Sequence, residues 1–391
     1  MPYPLDAGPK IRSYYVLKHL CQRHRVTLLA FVRDSDRAED IAHLQALCHA
    51  VHTVPMRRSP LRDARFLLQS LLRGQPFIIL RDEVRAMVAA VHRLLHAETF
   101  DAVHADQLWM AQYALLAEAV SPRPRLILDQ HNAVHLIPHR MAAGETNPLR
   151  RAILAREART LRRYEAAVCR RFDRVVWVTE EDRRAVAALP GAPPLPGPVI
   201  PICTDPDAVP PVERRPRARR ITFLGGLHWP PNAQGIRWFA AEVFPRIRAR
   251  QPDAVLTVIG KNPPAGLDAP GVEVTGYVPD PSPYLSETAA FIVPLHAGGG
   301  MRVKILDAWI WGLPIVSTPI GAEGIAIRPG EDILIAGDAP AFAGAVLRLL
   351  EDESLARRLA AGGRQTVLQK YNWRTVYSAW DGVYSQESPI S

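Results

Sequence analysis

The chain lacks the features that mark membrane-spanning, secreted and disulfide-stabilised proteins. No apolar run among its 391 residues approaches the ~18 residues of a transmembrane helix. The N-terminal residues lack the apolar core of a signal peptide, so we expect a cytoplasmic protein. The cysteines are few, far apart and without metal-ligand spacing: Cys21, Cys48, Cys169 and Cys203. We expect them to be reduced thiols of a cytosolic protein.

Several motifs with known chemistry are also absent. There is no Gly-x-Gly-x-x-Gly after a strand, no P-loop and no Gly-x-Ser-x-Gly elbow. Dinucleotide chemistry, P-loop ATP hydrolysis and serine-hydrolase chemistry therefore have no support. Asp-x-Asp pairs occur at 34–36 and 205–207, and we interpret both as surface turns. No basic motif interleaved with aromatic residues favours nucleic-acid binding.

Lysine is scarce, and the positive charge is unevenly distributed. The chain has 5 lysines against 43 arginines. Residues 1–205 hold 29 basic and 21 acidic residues, a net charge of +8, whereas residues 206–391 hold 19 and 18, a net charge of +1. Ten arginines lie between residues 140 and 174. Such a surface favours acidic partners such as nucleic acid, anionic lipid or a phosphorylated substrate. The alternative is a solvated helix partly paired with Glu157, Glu165 and Asp173.

Short apolar runs alternate with helical patterns along the whole chain. Strands are predicted at 26–31, 51–55, 102–105, 126–129, 175–179, 199–203, 221–224, 255–259, 272–274, 291–294, 315–317 and 333–335. Most are apolar throughout, which is typical of parallel strands covered on both faces. A proline-rich stretch predicts a linker around 204–218. We therefore predict an α/β protein with two doubly wound, Rossmann-like domains, 1–205 and 206–370, and a closing helix at 371–391 that returns to the first domain.

A glycine turn at 298–300 is the most informative local feature. It follows an apolar run and precedes a predicted helix whose first two turns carry Arg302, Lys304 and Asp307. Glycine lets the backbone approach a ligand, and the free N–H groups of a helix start point towards an anion. Lys304 and Asp307 share a helix face, so one could meet a phosphate and the other a sugar hydroxyl. The alternative is an ordinary turn with solvated charges.

Two further strand ends in the second half suit a ligand. Gly225 and Gly226 follow a strand and precede Asn232, which stands near a helix N-cap. Gly276 and Tyr277 follow another strand, where a flat ligand such as a nucleobase could lie along the backbone. A helix cap and a plain turn are the respective alternatives.

In the first half, polar residues stand where a buried strand should emerge. His131 and Asn132 follow the run 126–129, and His131 could orient an acceptor or take its proton. A structural histidine is the alternative. The proline- and glycine-rich loop 2–12, which contains Gly8 and Arg12, leads into a helix and suits the wall of a cleft.

Together these segments resemble the retaining nucleotide-sugar glycosyltransferases of the group-1 type (family four), which have the GT-B fold. The resemblance covers nearly the whole chain. Its most specific parts are 223–238 with Trp-x-Pro-Asn, 276–280 (Gly-Tyr-Val-Pro-Asp) and 298–324, which ends Ser-Thr-Pro-Ile-Gly-Ala-Glu-Gly. The chain looks most like a subgroup that makes bacterial exopolysaccharide, including sugar transferases of PEP-CTERM-type loci. The resemblance implies a C-terminal donor domain and an N-terminal acceptor domain that face each other across a cleft.

The resemblance also implies roles for single residues. On the donor side, Asp307 would hold the ribose hydroxyls, and the backbone from Gly300 through Met301 to Val303 would hold the diphosphate. Gly276 and Tyr277 would lie near the base. His131 matches a histidine near the sugar and the acceptor, and Gly8 matches the glycine of the acceptor loop. Arg12 and Asn132 are expected beside them on the acceptor side.

Three departures from the family pattern stand out. The family has Glu, seven residues and a second Glu, where this chain has Gly299 and Asp307. The Arg and Lys that clamp the diphosphate are absent from 227–232, and we expect Lys304, with Arg302, to supply that charge. The family has a strand before the Pro-Tyr-Pro loop, whereas Met1 falls inside that loop, and we expect the start to be misassigned.

The expected activity is transfer of a sugar from a nucleotide-diphosphate-sugar to a hydroxyl acceptor, with retained configuration. No metal is required in this scheme, because fixed positive charge stabilises the departing diphosphate. The expected acceptor is a lipid-linked saccharide in exopolysaccharide or cell-surface glycan synthesis. It would be met at the anionic inner face of the plasma membrane, where the protein is peripheral. The alternatives are an inactive relative that serves as a binding or scaffold protein, and a nucleotide-sugar epimerase.

Overall fold

A computed structural model divides the chain into two compact units. Residues Met1–Cys203 and Trp373–Ser391 form the first unit, and Thr204–Asn372 form the second. The structure describes residues 1–5, 8–191, 197–215 and 218–385. Parts of the predicted N-terminal loop (6–7), linker (216–217) and closing helix (386–391) therefore lie outside the described residues. The expected boundaries, after residues 205 and 370, stand near the limits of the units.

The first unit is built from parallel strands and the helices that connect them. Its strands are β1 (Thr27–Val32), β2 (Ala50–Pro55), β3 (Ala102–Asp106), β4 (Arg125–Gln130) and β5 (Arg174–Trp177). Its helices are α1 (Gly8–Cys21), α2 (Ala38–Leu47), α3 (Pro60–Arg73), α4 (Phe77–Arg81), α5 (Arg85–Ala97), α6 (Leu108–Ala114) with a 3₁₀ turn (Leu115–Ala119), α7 (Leu136–Ala143), α8 (Pro148–Cys169) and α9 (Glu180–Ala187).

The strands of the first unit form two sheets rather than the expected single doubly wound sheet. β1 pairs with β2, while β4 pairs with β3 on one side and β5 on the other, all in parallel register. Among the described residues, no strand pairs with both β1 and β3, so the two sheets are not joined. β4 is buried from Leu126 to Gln130, as a central parallel strand should be.

The strand predicted at 199–203 is wrong. Only one bridge forms there, between Trp177 at the end of β5 and Val199. Pro198 and Pro201 flank that bridge, and proline has no N–H to donate, so a ladder cannot extend in either direction.

The second unit contains one six-stranded parallel sheet. Its strands are β6 (Arg220–Leu224), β7 (Val255–Ile259), β8 (Val272–Gly276), β9 (Thr288–Val293), β10 (Ile315–Ser317) and β11 (Leu334–Ile335). Its helices are α10 (Pro230–Trp238), continued by a π-helical turn (Phe239–Val243) into α11 (Phe244–Arg248), then α12 (Ser282–Leu285), α13 (Val303–Ile310), α14 (Ala339–Glu351) and α15 (Glu353–Lys370). The strand positions predicted from the sequence are confirmed here within a few residues.

The strand order places a crevice in the second unit. The order is β11-β10-β9-β6-β7-β8, so the chain leaves β8 at one edge and returns at β9, beside β6. Strand order reverses between β6 and β9, and ligands of doubly wound sheets bind beyond the strand ends at such a point. Every residue of β9 is buried, so core packing holds the start of the following turn in place.

The closing segment belongs to the first unit. It forms two short helices, α16 (Trp373–Val376) and α17 (Ala379–Tyr384). The Tyr377 hydroxyl accepts from the Cys203 N–H, and the Tyr384 hydroxyl lies 2.6 Å from His104 Nδ1 on β3. Among the described residues, no helix is both long enough and apolar enough to cross a membrane.

Candidate functional site

Lys304 reaches the end of β6 from the first turn of α13. Its Nζ donates to Asn232 Oδ1 at 2.9 Å and lies 4.3 Å from the centroid of the Phe223 ring. The same Nζ stands so close to Gly225 that a Cβ on that residue would be 2.6 Å away. The structure thus brings Lys304 to Asn232 and Gly225, which precede it in the sequence by 72 and 79 residues.

Burial makes the Lys304 ammonium unusually acidic. Loss of solvent, with the charge of Arg302 adding to it, lowers the pKa of Lys304 to about 7. Asp307, one turn along α13, opposes this shift. The lysine therefore changes charge near neutral pH, and an anion beside it would favour its protonated form.

Asp307 shares the face of α13 with Lys304, as predicted. Burial raises the pKa of its carboxyl to about 7, and the lysine charge acts against the rise. No hydrogen bond to its side chain forms among the described residues. Its oxygens are therefore available to hydroxyl groups of a ligand.

Arg302 does not present its charge in the way that the sequence suggests. It is 4% exposed, and its Nη1 donates to the carbonyl oxygens of Gly299 and Gly300. We therefore assign Arg302 to holding the glycine turn in shape, in place of the expected contact with the departing phosphate. Met301 and Val303 point their side chains into the core, and α13 begins at Val303, so the first-turn N–H groups stand at the end of the turn.

Gly226 and Asn232 close the loop between β6 and α10. Asn232 is buried, and its Nδ2 donates to the Gly226 carbonyl at 2.8 Å. The asparagine thus links the loop to Lys304 through its two amide atoms. It lies at the third residue of α10, whose N-cap residue is Trp229.

Gly276 and Tyr277 lie at the end of β8. Gly276 has a φ of 71°, and its carbonyl accepts from the Gly260 N–H at 2.8 Å. Tyr277 is 59% exposed, and Lys261 Nζ lies 4.3 Å from its ring centroid. Sequence reasoning missed Lys261, although the scarcity of lysine was a signal that could have found it.

The first unit holds a separate buried charge network at the ends of β3 and β4. His131 Nε2 lies 2.9 Å from Asp106 Oδ1 and 3.4 Å from Asp129 Oδ2. The Ser13 hydroxyl donates to the other oxygen of Asp106 at 2.7 Å. Asp106 is the accessible member, with 38% of its side chain exposed.

The network keeps His131 protonated. Burial alone would lower the pKa of His131, but Asp106 and Asp129 together raise it to about 9. A group that already carries its proton cannot take one from an acceptor at neutral pH. The raised pKa favours a role for His131 in orienting an acceptor over a role as a base, and both roles stay predictions.

Arg12 is fully buried and does not face an acceptor. Its guanidinium donates to Asp129 through Nε at 2.8 Å and Nη2 at 2.6 Å, and Nη1 donates to the Ile200 carbonyl at 2.7 Å. This pair lowers the pKa of Asp129 despite burial. The expectation that Arg12 binds the acceptor is wrong, because its charge and most of its donors are used inside the unit.

Asp106, Asp129 and His131 are also the side chains that could be considered for a metal ion. One ligand atom of each lies within 4.8 Å of the others. Arg12 and His131 already supply positive charge beside Asp129, and His131 also faces Asp106. In this arrangement the residues form an internal ion-pair network.

The remaining acceptor-side candidates lie at the surface of the first unit. Gly8 is the first residue of α1 and is half-buried. Asn132 is half-buried, and its Oδ1 is a buried oxygen without a hydrogen-bond partner among the described residues. Asn132 is therefore the predicted acceptor residue that retains a free polar atom.

The acidic residues expected to neutralise the arginines of 140–174 are engaged elsewhere. Glu165 accepts from Gln130 and from the N–H groups of Val134 and His135. Glu157 accepts from two N–H groups at the start of α4, and only Arg156 lies near it, at 3.7 Å. Most of the positive charge of this segment is therefore left to the surface.

Comparison with known proteins connects the second unit to a family. Residues 218–352 match the family model described as "Glycosyl transferases group 1". The second unit is similar to group 1 glycosyltransferases. The match contains β6, the glycine turn and α13, and so covers every residue of the Lys304 site. The expected enzyme class, a glycosyltransferase, is the class of this family model and of named relatives.

Two curated relatives share part of the sequence. An uncharacterized 44.6 kDa protein in the cps region of Klebsiella pneumoniae is 28% identical over 41% of this chain and 44% of its own length. The lipopolysaccharide core biosynthesis glycosyltransferase LpsE of Rhizobium meliloti is 30% identical over 28% of this chain and 32% of its own length. The chain thus matches less than half the length of these relatives.

Solved structures of other proteins share the fold of the chain. The crystal structure of Anabaena HepE in complex with UDP and glucose covers 97% of this chain and 96% of that protein, with a TM-score of 0.68 and 14% identity. At this identity the likeness shows the fold alone. The expected GT-B fold with Rossmann-like α/β units is confirmed.

Proposed function

We propose that the chain is a retaining glycosyltransferase that uses a nucleotide-diphosphate-sugar. The reaction breaks the bond between the anomeric carbon and the diphosphate oxygen, and forms a bond from that carbon to an acceptor hydroxyl. The acceptor proton leaves with the nucleotide diphosphate or to solvent. The match to group 1 glycosyltransferases and the glycosyltransferase relatives support this proposal.

The position of Lys304 is the observation that carries the proposal. An ammonium buried beside the glycines that follow β6, at the switch point of a doubly wound sheet, is costly unless an anion faces it. In our proposal the donor diphosphate takes that place. Charge that develops on the leaving phosphate is stabilised by Lys304 and by the first-turn N–H groups of α13. Fixed positive charge of this kind replaces a divalent metal.

The rest of the donor lies along the same strand ends. Asp307 accepts hydrogen bonds from the ribose hydroxyls, and Gly276 and Tyr277 lie near the base, with Lys261 behind the ring. HepE holds UDP and glucose in its own crystal structure, which makes UDP-sugars the first donors to test. The anomeric configuration is retained because the acceptor hydroxyl attacks the face of the sugar from which the leaving group departs. No covalent intermediate forms on the protein.

On the acceptor side, we propose a lipid-linked saccharide. Asp106 offers an exposed carboxylate to acceptor hydroxyls, and the half-buried Asn132 has an amide oxygen without a hydrogen-bond partner among the described residues. LpsE takes part in lipopolysaccharide core biosynthesis, and the basic first half of the chain suits the anionic inner face of the plasma membrane. We place the protein in the cytoplasm, peripheral to that membrane, in exopolysaccharide or cell-surface glycan synthesis.

A donor assay tests the activity. The full chain is incubated with UDP-, GDP- and ADP-sugars, and release of nucleotide and the anomeric configuration of the product are followed by NMR. We expect slow hydrolysis of one donor class and a product of retained configuration. An inverted product would contradict retention.

The glycine at position 299 supports a second candidate, an inactive relative that binds the nucleotide-sugar. Nucleotide binding without release from any donor, with or without saccharide acceptors, would favour that candidate over the enzyme. Conversion of the donor sugar without any acceptor would favour an epimerase.

A further inference from the structure

Helix α3 carries its apolar side chains outward. Ser70 is the single buried residue among its fourteen, while its leucines are exposed. Leu61 is 85% exposed and Leu72 is 79% exposed. A surface helix of a soluble domain normally buries its apolar stripe and exposes its polar residues. On α3 the apolar stripe is exposed instead.

The exposed apolar residues are concentrated in one part of the chain. Twelve large hydrophobic side chains are exposed among the described residues, and seven of them lie on α3 and the first turns of α8. These seven are Leu61, Leu67, Leu68, Leu71 and Leu72 on α3, and Leu149 and Ile153 on α8. Leu61, Leu68 and Leu72 recur at the spacing of one helical stripe.

A direct contact joins the two helices. The Arg156 guanidinium on α8 donates to the Ser70 hydroxyl at 2.9 Å and also to the Ser70 carbonyl. Leu149 and Ile153 stand seven and three residues before Arg156, so they share the face of α8 that meets α3. The seven side chains therefore belong to one region of the first unit, which we call the α3–α8 surface.

Arginines flank this surface. Arg65 and Arg73 on α3, and Arg150 and Arg151 on α8, are exposed and have no carboxylate partner among the described residues. A long arginine side chain can lie along apolar groups while its guanidinium stays in the polar layer. Exposed leucines flanked by arginines are typical of helices that lie in the interface of an anionic bilayer.

We infer that the α3–α8 surface is where the protein docks on an anionic lipid bilayer, with the leucines in the acyl boundary and the arginines at the phosphates. The inference rests on the proposed lipid-linked acceptor, and it gives a location to the membrane contact that such an acceptor requires. A second copy of the chain fits less well, since a symmetric contact would bring the same four arginines together.

Vesicle flotation of the full chain tests the inference. The vesicles are phosphatidylcholine alone, or phosphatidylcholine with about 30 mol% phosphatidylglycerol. We expect recruitment to the anionic vesicles about tenfold or more above the neutral ones. The double variants Leu68→Gln/Leu72→Gln and Arg65→Glu/Arg73→Glu should each lower it about tenfold. Matched controls in the second unit, Leu368→Gln and Arg246→Glu, should leave it unchanged.

Three results would overturn the inference. The first is equal recruitment by neutral and anionic vesicles, and the second is unchanged recruitment of the leucine and arginine variants. The third is a wild-type dimer that binds no vesicles and that dissociates in the leucine variants. Because the substituted side chains are exposed, circular dichroism should show all variants folded. Nucleotide binding by the same variants, read as a thermal shift, should be unchanged, so failure of the docking inference and failure of the proposed activity are separable.

Discussion

At the scale of single residues, Lys304 combines an unfavourable environment with a central position. Burial lowers its pKa to about 7, and its Nζ is held by Asn232 above Gly225. Replacement of such a group by an apolar side chain of similar volume is often neutral or stabilising in the free protein. The presence of a lysine at this buried position is explained if the bound state contains an anion.

We predict that Lys304→Met lowers turnover by about tenfold or more, because it removes a charge that stabilises the departing diphosphate. The melting temperature of the free protein should stay equal or rise. Lys370→Met, at the end of α15, is the matched control and should change neither quantity. Steady-state kinetics together with thermal unfolding would check this, and normal turnover in the Lys304 variant would remove the residue from the mechanism.

The ionisation of Lys304 predicts a pH dependence of nucleotide affinity. Below about pH 7 the lysine is already protonated in the free protein, and above it binding must also bring a proton. Affinity for a nucleoside diphosphate should therefore fall above pH 7, by up to about tenfold per unit. Calorimetry in two buffers of different ionisation enthalpy would detect the proton uptake, which Lys304→Met should abolish.

Protonation of Asp307 should weaken binding of a nucleoside diphosphate below about pH 7. Its carboxyl, whose pKa is raised to about 7, loses its charge as the pH falls and then accepts ribose hydroxyls less well. Asp307→Asn should weaken binding of the nucleoside diphosphate about tenfold at pH 8 and flatten the loss below pH 7. Equal loss of affinity for inorganic diphosphate, which has no ribose, would contradict this role.

The raised pKa of His131 predicts that the folded chain loses stability at alkaline pH. Its pKa in the folded chain, about 9, lies above the ordinary value, so its contribution is complete below pH 6.5 and is lost as the pH rises through 9. The full shift corresponds to on the order of 3 kcal/mol of unfolding free energy. Urea unfolding at pH 6 and pH 9 should show the loss, and His131→Gln should remove the difference. An unchanged difference in the variant would place its origin elsewhere.

At the scale of elements, the sequence predicted where strands end better than how they pair. Apolar runs located β6 to β11 within a few residues, since buried parallel strands need such runs. The division of the first unit into two sheets could not be read in the same way, because pairing depends on which strands are neighbours in space. The failure at 199–203 came from apolar residues that two prolines keep from extending a ladder.

The glycine turn is an element whose shape is fixed by side-chain space. At Gly298, φ is 137°, and a Cβ would lie 2.8 Å from Arg302 Nη2 and 3.1 Å from the Trp229 ring. Gly298→Ala should therefore lower the unfolding free energy by about 1–3 kcal/mol and weaken nucleotide binding. The matched control is Gly344→Ala within α14, where nothing lies within 4 Å and the helix should gain about 0.5–1 kcal/mol. Equal melting temperatures for both variants would show that the turn tolerates a side chain.

At the scale of the whole molecule, sequence reasoning located the candidate donor site and misassigned parts of its surroundings. Gly225, Asn232 and Lys304 were each singled out, and the fold brings them into contact. Arg12 and Arg302 were read as ligand contacts because sequence shows charge and not burial. Lys261 and the outward face of α3 were missed for the converse reason, since exposure and ring contacts appear only once the chain is folded.

The central claim is that the crevice between β6 and β9 binds a nucleoside diphosphate through Lys304. The most direct measurement is a thermal-shift screen of the full chain with UDP, GDP, ADP and their sugars, run in parallel on wild type and Lys304→Met. A ligand that binds the folded state raises its melting temperature by mass action. We predict that one nucleotide class stabilises the wild type and that the variant loses most of that shift. An equal shift in both proteins, or no shift with any nucleotide, would contradict the claim.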